Sequence, residues 1–297
     1  MHSFDEARAR LLSLDRPAGS AARDLAIGTD TIRFEGLSDA VAATLDARWG
    51  GFLAAARAAA PRIVVRAVRG DGSAWLPRWR PGEIYRLEAD RTAGPLVVRS
   101  YHFALGPEVS GAWRLAVEDQ SAEPVGRVLD NAARYFVARL AIEQGGLALH
   151  GAGLRRGRRA WIFAGPSGAG KTTAVRLSAP AESLGDDFAV VLPFEGGWAA
   201  PALPFDNREV APPDPIRGLT PISGVWRLFQ AERHSVERPS GVLAQASLLA
   251  CAAFPWAIPD LADRAGESVA QIAASGLFGH LHFALDPGFW HLLVDEA

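Results

Sequence analysis

The chain has 297 residues, 49% of them hydrophobic and 22% charged, with a formal net charge of −2; that is ample for a real core in one or two domains, without the global basic footprint of a nucleic-acid binder. Its one cysteine, Cys251, sits in an apolar helical run as a buried, inert thiol and excludes an internal disulfide or a cysteine-built zinc site. Apolar runs stay well short of the roughly 18 residues of a membrane span, and residues 1–20 lack a signal peptide's apolar stretch, so a soluble, cytoplasmic protein with no membrane partner is expected.

In chain order, residues 1–24 read as a short helix and a loop. Asp24–Glu35 alternates around Leu25, Ile27, Ile32 and Phe34 with a turn near Gly28, which predicts a hairpin-like pair of strands. Ser38-Asp39 caps a helix to about Phe52. Strands follow at 62–68, 83–88, 96–104 and 112–118, giving a small α+β domain over residues 1–122. Trp75, Trp79 and Arg80 lie in a loop of this domain, where aromatic packing is favoured over ligand contact. Val125–Gln144 is the clearest long helix, with Val128, Leu129, Ala132, Phe136 and Leu140 on one stripe and Gly145-Gly146 ending it. It opens the second domain, residues 123–297.

The chemistry concentrates there. Leu147–Leu154 reads as a strand, joined by the basic turn Arg155–Arg159 to a second strand ending at Ala164. A connection this short permits only an antiparallel pair. The next residues, Gly165-Pro166-Ser167-Gly168-Ala169-Gly170-Lys171-Thr172, fit the pattern of Gly, four residues, Gly, Lys, then Ser or Thr. Thr173 continues into a helix. Glycines let the backbone curl so that N–H groups converge, and the helix N-terminus adds positive charge, so Gly165–Thr173 is expected to cradle nucleotide phosphates. Lys171 is the only lysine; every other cationic side chain is arginine. An arginine fork cannot replace a compact ammonium in a phosphate nest.

One helix later, Asp186-Asp187 opens an apolar strand. A carboxylate pair there suits one oxygen on Mg²⁺ and another taking the proton from an attacking hydroxyl, although such a pair also marks turns. The stretch Pro204–Pro221, with Asp206, Arg208, Glu209, Asp214 and Arg217, suits a substrate-facing loop. Strands at 197–203, 225–229, 233–238 and 281–285 and helices at 240–253, 259–276 and 287–294 complete the chain. His280 and His282 share a strand face; ordinary, partly buried histidines are favoured over a metal site.

Taken together, His150-Gly151, the hairpin, the Gly165–Thr172 loop, the helix and Asp186-Asp187 resemble the HPr kinase/phosphorylase family, whose core is shared with phosphoenolpyruvate carboxykinase. The resemblance implies an α/β domain with a mixed, partly antiparallel sheet, ATP and Mg²⁺ as cofactors, and phosphate transfer to a hydroxyl. It implies that Lys171 and the loop amides hold phosphates, that Thr172 and an aspartate, taken as Asp187, hold the metal, that Asp186 or Asp187 is the general base, and that His150 sits beside the reacting phosphate. The family's later Leu-Glu-[Ile/Val]-Arg-Gly-Leu-Gly signature has a partial echo at Pro215–Leu219, with Pro215 in the glutamate's place. The expected activity is an ATP-dependent kinase acting on a hydroxyl, a serine of a protein or peptide whose identity the sequence does not give. A small-molecule kinase and a nucleotide-sensing accessory protein stand as alternatives, and self-association into a homo-oligomer is compatible with the sequence.

Overall fold

The computed structural model describes residues 3–54, 60–70, 76, 86–118, 123–205 and 214–294. They form a mixed α/β protein with two mixed sheets. The chain divides into two compact units: Met1–Phe136 with Arg208–Pro215 and Trp256–Asp260, and Val137–Asn207 with Ile216–Pro255 and Leu261–Ala297.

The first unit holds α1 (Phe4–Ser13), β1 (Ala21–Ile27), β2 (Asp30–Leu37), α2 (Asp39–Trp49), β3 (Ile63–Gly70), β4 (Glu88–Asp90), β5 (Val97–Arg99), β6 (Phe103–Pro107), β7 (Trp113–Glu118) and the start of α3 (Val125–Glu143). The sheet order is β1-β2-β3-β7-β6-β5-β4. Strand β3 runs parallel to both β2 and β7, and the remaining pairs are antiparallel. Helix α1 starts in a capping box, with Ser3 and Glu6 exchanging side-chain-to-backbone hydrogen bonds. Helix α2 starts where the Ser38 hydroxyl accepts from the Val41 N–H at 3.3 Å. Inside, Phe34 meets Trp49 and Phe136, and Phe136 also meets Trp113 edge-on at 5.4 Å. The Arg48 guanidinium and the Trp49 indole N–H both donate to the buried Asp130 carboxylate.

One strand expectation changes here, and another lies partly outside the described residues. The 96–104 run divides into β5 and β6, because Ser100 and its neighbours make the turn between them and the Ser100 N–H donates to the Phe103 carbonyl. Of 83–88, residues 83–85 fall outside the described residues, as do Trp75, Trp79 and Arg80.

The second unit holds the rest of α3, β8 (Leu147–Leu149), β9 (Gly151–Arg156), β10 (Arg159–Ala164), α4 (Lys171–Leu177), β11 (Glu182–Gly185), β12 (Ala189–Phe194), β13 (Gly197–Pro201), β14 (Leu219–Gln230), β15 (Ser235–Glu237), α5 (Gly241–Leu249), α6 (Ala262–Ala274), β16 (Phe278–Phe283) and α7 (Phe289–Val294). Its sheet runs β11-β9-β10-β14-β13-β12-β8, with β16 also on β14 and β15 on β16. The β9–β10 pair is antiparallel with Arg156 opposite Arg159, and Gly157 supplies the left-handed turn at φ 63°. On its other side β10 pairs with β14 in parallel.

Alternation then sorts the side chains. Leu154, Trp161, Phe163, Trp226 and Leu228 bury against Ala174 of α4 and Phe289, Trp290 and Leu293 of α7. Trp161 meets Trp290 edge-on at 5.1 Å, and Phe163 meets Phe289 at 5.8 Å. This core fixes where β10 ends and α4 begins. Among the described residues, no helix is long and apolar enough to cross a membrane.

Candidate functional site

The loop between β10 and α4 owes its shape to glycines at positions where other residues are strained. Gly165, Gly168 and Gly170 adopt φ of 150°, 82° and 99°. A Cβ on Gly170 would stand 2.6 Å from Phe283 Cζ, so the loop rests directly on the last residue of β16. Gly170 is also the N-cap of α4 and offers no capping side chain, which leaves the first N–H groups of the helix without a side-chain acceptor.

Lys171 is buried at 8% exposure and folds back over the loop. Its ammonium donates to the carbonyls of Gly165 at 3.0 Å and Pro166 at 3.1 Å. It also stands 3.5 Å from Asp187 Oδ1. That contact depends on the turn after β11. Gly185 has φ 147°, where a Cβ would meet the Phe188 carbonyl at 3.0 Å, and Asp187 takes the left-handed region at φ 66°. Asp is one of the few side chains that tolerate it. The Asp186 N–H donates to the Phe205 carbonyl at 3.2 Å, which holds the pair in place.

An open, mainly polar pocket of ≈ 330 Å³ results. Ser167, Gly168, Gly170, Lys171, Thr172 and Thr173 line it from the loop, and Asp186, Asp187 and Gln230 from elsewhere. Of the residues expected in the site, Gly165, Pro166, Ala169 and His150 are not among its lining. Gly165 and Pro166 act through their carbonyls on Lys171. His150 acts through its backbone: its N–H donates to the Cys251 carbonyl at 2.7 Å, and its own carbonyl accepts from the Gly165 N–H at 2.9 Å. Its ring meets Phe254 edge-on at 6.0 Å.

The pocket brings one ammonium and unshared helix N–H groups together with two carboxylates. That donor set fits a phosphate chain accompanied by a divalent cation, since the carboxylates alone would repel the phosphates. Among the described residues no group of three or more His, Cys, Asp or Glu side chains is placed to hold a metal. Mg²⁺ suits such a place, being held by one or two carboxylates plus substrate phosphates instead of a full protein cage.

Several contributors carry no local sequence signal. Gln230, at the end of β14, donates to the Gly168 carbonyl at 2.8 Å across 62 positions of sequence. Phe283 buttresses Gly170. Arg227, three residues before Gln230, donates to the Ser247 hydroxyl at 2.9 Å, and that oxygen lies 2.7 Å from His280 Nε2. Burial first, and the Arg227 charge second, push the His280 pKa down, so its ring is neutral at pH 7 and suited to accept from the hydroxyl. His282 stacks on Phe229 at 5.0 Å. His280 is thus engaged in hydrogen bonding and His282 in packing. Cys251, 1% exposed, has its thiol pushed up to about 11 by burial.

Compared with known proteins, residues 117–212 match the family model described as "SynChlorMet cassette protein ScmC", a stretch that contains the loop, α4 and Asp186-Asp187. No curated protein matches the chain.

Proposed function

We propose that the chain is an ATP-dependent kinase that transfers the γ-phosphate to a hydroxyl, a serine of a protein or peptide. The observation that carries this reading is the placement of Lys171 Nζ 3.5 Å from Asp187 Oδ1, in one pocket with Thr172 and Asp186. The β9–β10 hairpin running straight into the loop supports an arrangement of the HPr-kinase and phosphoenolpyruvate-carboxykinase type.

In this reading the N–H groups of the loop and of the first turn of α4 bind the phosphate oxygens, and the Lys171 ammonium leaves its carbonyl partners for the β and γ phosphates. Thr172 Oγ1 and Asp187 would hold Mg²⁺, which supplies neutralisation of the charge on the phosphates when bound. The Asp186–Asp187 pair orients the acceptor hydroxyl, and one of its carboxylates takes the proton. The bond from phosphorus to the bridging oxygen of ADP breaks as the bond to the acceptor oxygen forms. Preorganised donors act mainly on the developing charge, so positioning supplies most of the acceleration.

Incubation with γ-labelled ATP and a lysate of the source cells tests the reading. Wild type should label a discrete polypeptide, Lys171→Ala should lose both nucleotide binding and labelling, and Asp186→Asn with Asp187→Asn should keep nucleotide while losing transfer. Equal labelling by wild type and Lys171→Ala would end the kinase reading. Nucleotide binding without any phosphorylated product would favour an accessory protein.

A further inference from the structure

At the end of β10 away from the glycine loop, the structure gathers positive charge that it neutralises only in part. The β9–β10 turn carries Arg155, Arg156, Arg158 and Arg159 around Gly157. Arg155 forks onto Glu182 with two 2.8 Å hydrogen bonds, and the Arg156 guanidinium stands 4.7 Å over the Trp290 ring. Arg158 and Arg159 are exposed and have no acidic partner among the described residues. Arg156 and Arg159 face each other directly across the hairpin, a like-charge pairing that destabilises a ladder.

Arg217 joins them from a different part of the chain, just before β14, also exposed and also without an acidic partner among the described residues. Arg155, Arg158 and Arg217 line an open depression of ≈ 210 Å³, whose other walls include Leu219, Thr220 and Pro221. Several arginines elsewhere are paired: Arg23 with Asp46, Arg33 with Asp24, Arg66 with Glu35 and Glu108. At this corner Glu182 answers Arg155 alone, and Arg158 and Arg217 are left without a carboxylate among the described residues.

We propose that this corner is a docking surface for an acidic peptide segment, carried by the polypeptide whose hydroxyl is phosphorylated. The identity of that polypeptide as substrate rests on the kinase reading above; the docking itself does not. Arginine forks match carboxylates in paired hydrogen bonds, and the two open forks of Arg158 and Arg217 in one small depression, with Arg159 beside them, suit a short Glu- or Asp-rich run. Nucleic acid fits less well: the patch is compact, not a stripe, and the depression has no aromatic side chain on which a base could stack.

The placement also sets a spacing. Five steps along β10, from Arg159 to Ala164, cover about 16 Å at roughly 3.3 Å per residue. A peptide docked by its acidic run therefore needs about five or more extended residues before its hydroxyl reaches the glycine loop.

Fluorescence anisotropy with a fluorescein-labelled ten-residue oligoglutamate, and with a labelled ten-nucleotide oligo-dT as comparison, tests the docking surface. Wild type should bind oligoglutamate at low salt and weaken as salt rises, and should bind it more tightly than oligo-dT. Joint substitution of Arg158→Gln, Arg159→Gln and Arg217→Gln should weaken oligoglutamate binding by about tenfold while nucleotide binding and the melting temperature hold. Lys171→Ala should do the reverse, keeping oligoglutamate and losing nucleotide, so failure of the kinase reading and failure of the docking surface are told apart. Undiminished oligoglutamate binding by the triple variant overturns the proposal. So does an absence of binding by wild type at low salt, or tighter binding of oligo-dT.

Discussion

Gly168 and Gly170 stand two residues apart in the loop, both at positive φ, and alanine should affect them differently. At Gly168 no atom lies within 4 Å of a built Cβ, so the cost is the left-handed backbone alone, about 1 kcal/mol. At Gly170 the new methyl also meets Phe283 at 2.6 Å, and overpacking adds about 1–3 kcal/mol. Urea unfolding of the two variants should separate them, and equal destabilisation would count against the buttress. Cys251 offers a second test. Its thiol stays protonated to about 11 in the folded chain against 9.0 for an ordinary thiol. Stability from this group is therefore whole below pH 9 and is lost as pH climbs toward 11. The melting temperature of wild type relative to Cys251→Ala should fall across that window and stay level below it; a level difference throughout excludes the burial effect. Lys171, Asp186 and Asp187 were legible in the sequence because a phosphate loop and a following acidic pair are contiguous patterns with a mechanism. Gln230 and Phe283 were not, because they reach the loop through the pairing of β14 with β10 and β16, which no short window of residues encodes.

Among the elements, α3 combines apolar periodicity with one buried charge. Asp130 receives Arg48 and the Trp49 indole, so Asp130→Ala strands a guanidinium and an indole N–H in the interior. A loss of about 3 kcal/mol or more is expected from urea titration, and a change below 1 kcal/mol would mean that water replaces the carboxylate. Most strands follow from alternation, and α2 and α3 from caps and stripes. The exceptions have physical causes. Leu147–Leu154 is one continuous apolar run, yet it breaks at His150 because β8 pairs with β12 while β9 pairs with β10 and β11. Strand β11 is short, with its first two residues exposed at the sheet edge, and lacks the apolar content that marks a strand in sequence. Strand β14 begins at Leu219, inside a stretch that Pro221 makes read as loop; its partner there is β13.

Over the whole molecule, α3 is the point where sequence and compact units part company. Residues up to Phe136 belong to the first unit, and those from Val137 to the second. A fragment starting at residue 123 therefore carries Tyr135 and Phe136 without Phe34 and Trp113, their ring partners in the first unit. Such a fragment should aggregate or bind the dye ANS, whereas a monodisperse, dye-silent fragment would show that residues 123–297 fold without these ring partners. His150 has a consequence of a different kind. Its N–H holds the Cys251 carbonyl just past α5, and its carbonyl holds the Gly165 N–H, so two hydrogen bonds in series link that chain segment to the first glycine of the loop. An amide placed this way exchanges with deuterium only when the relay opens. The Gly165 amide is thus a built-in clock for the loop, one that should run faster when α5 is loosened and keep time when only the distant arginines are changed.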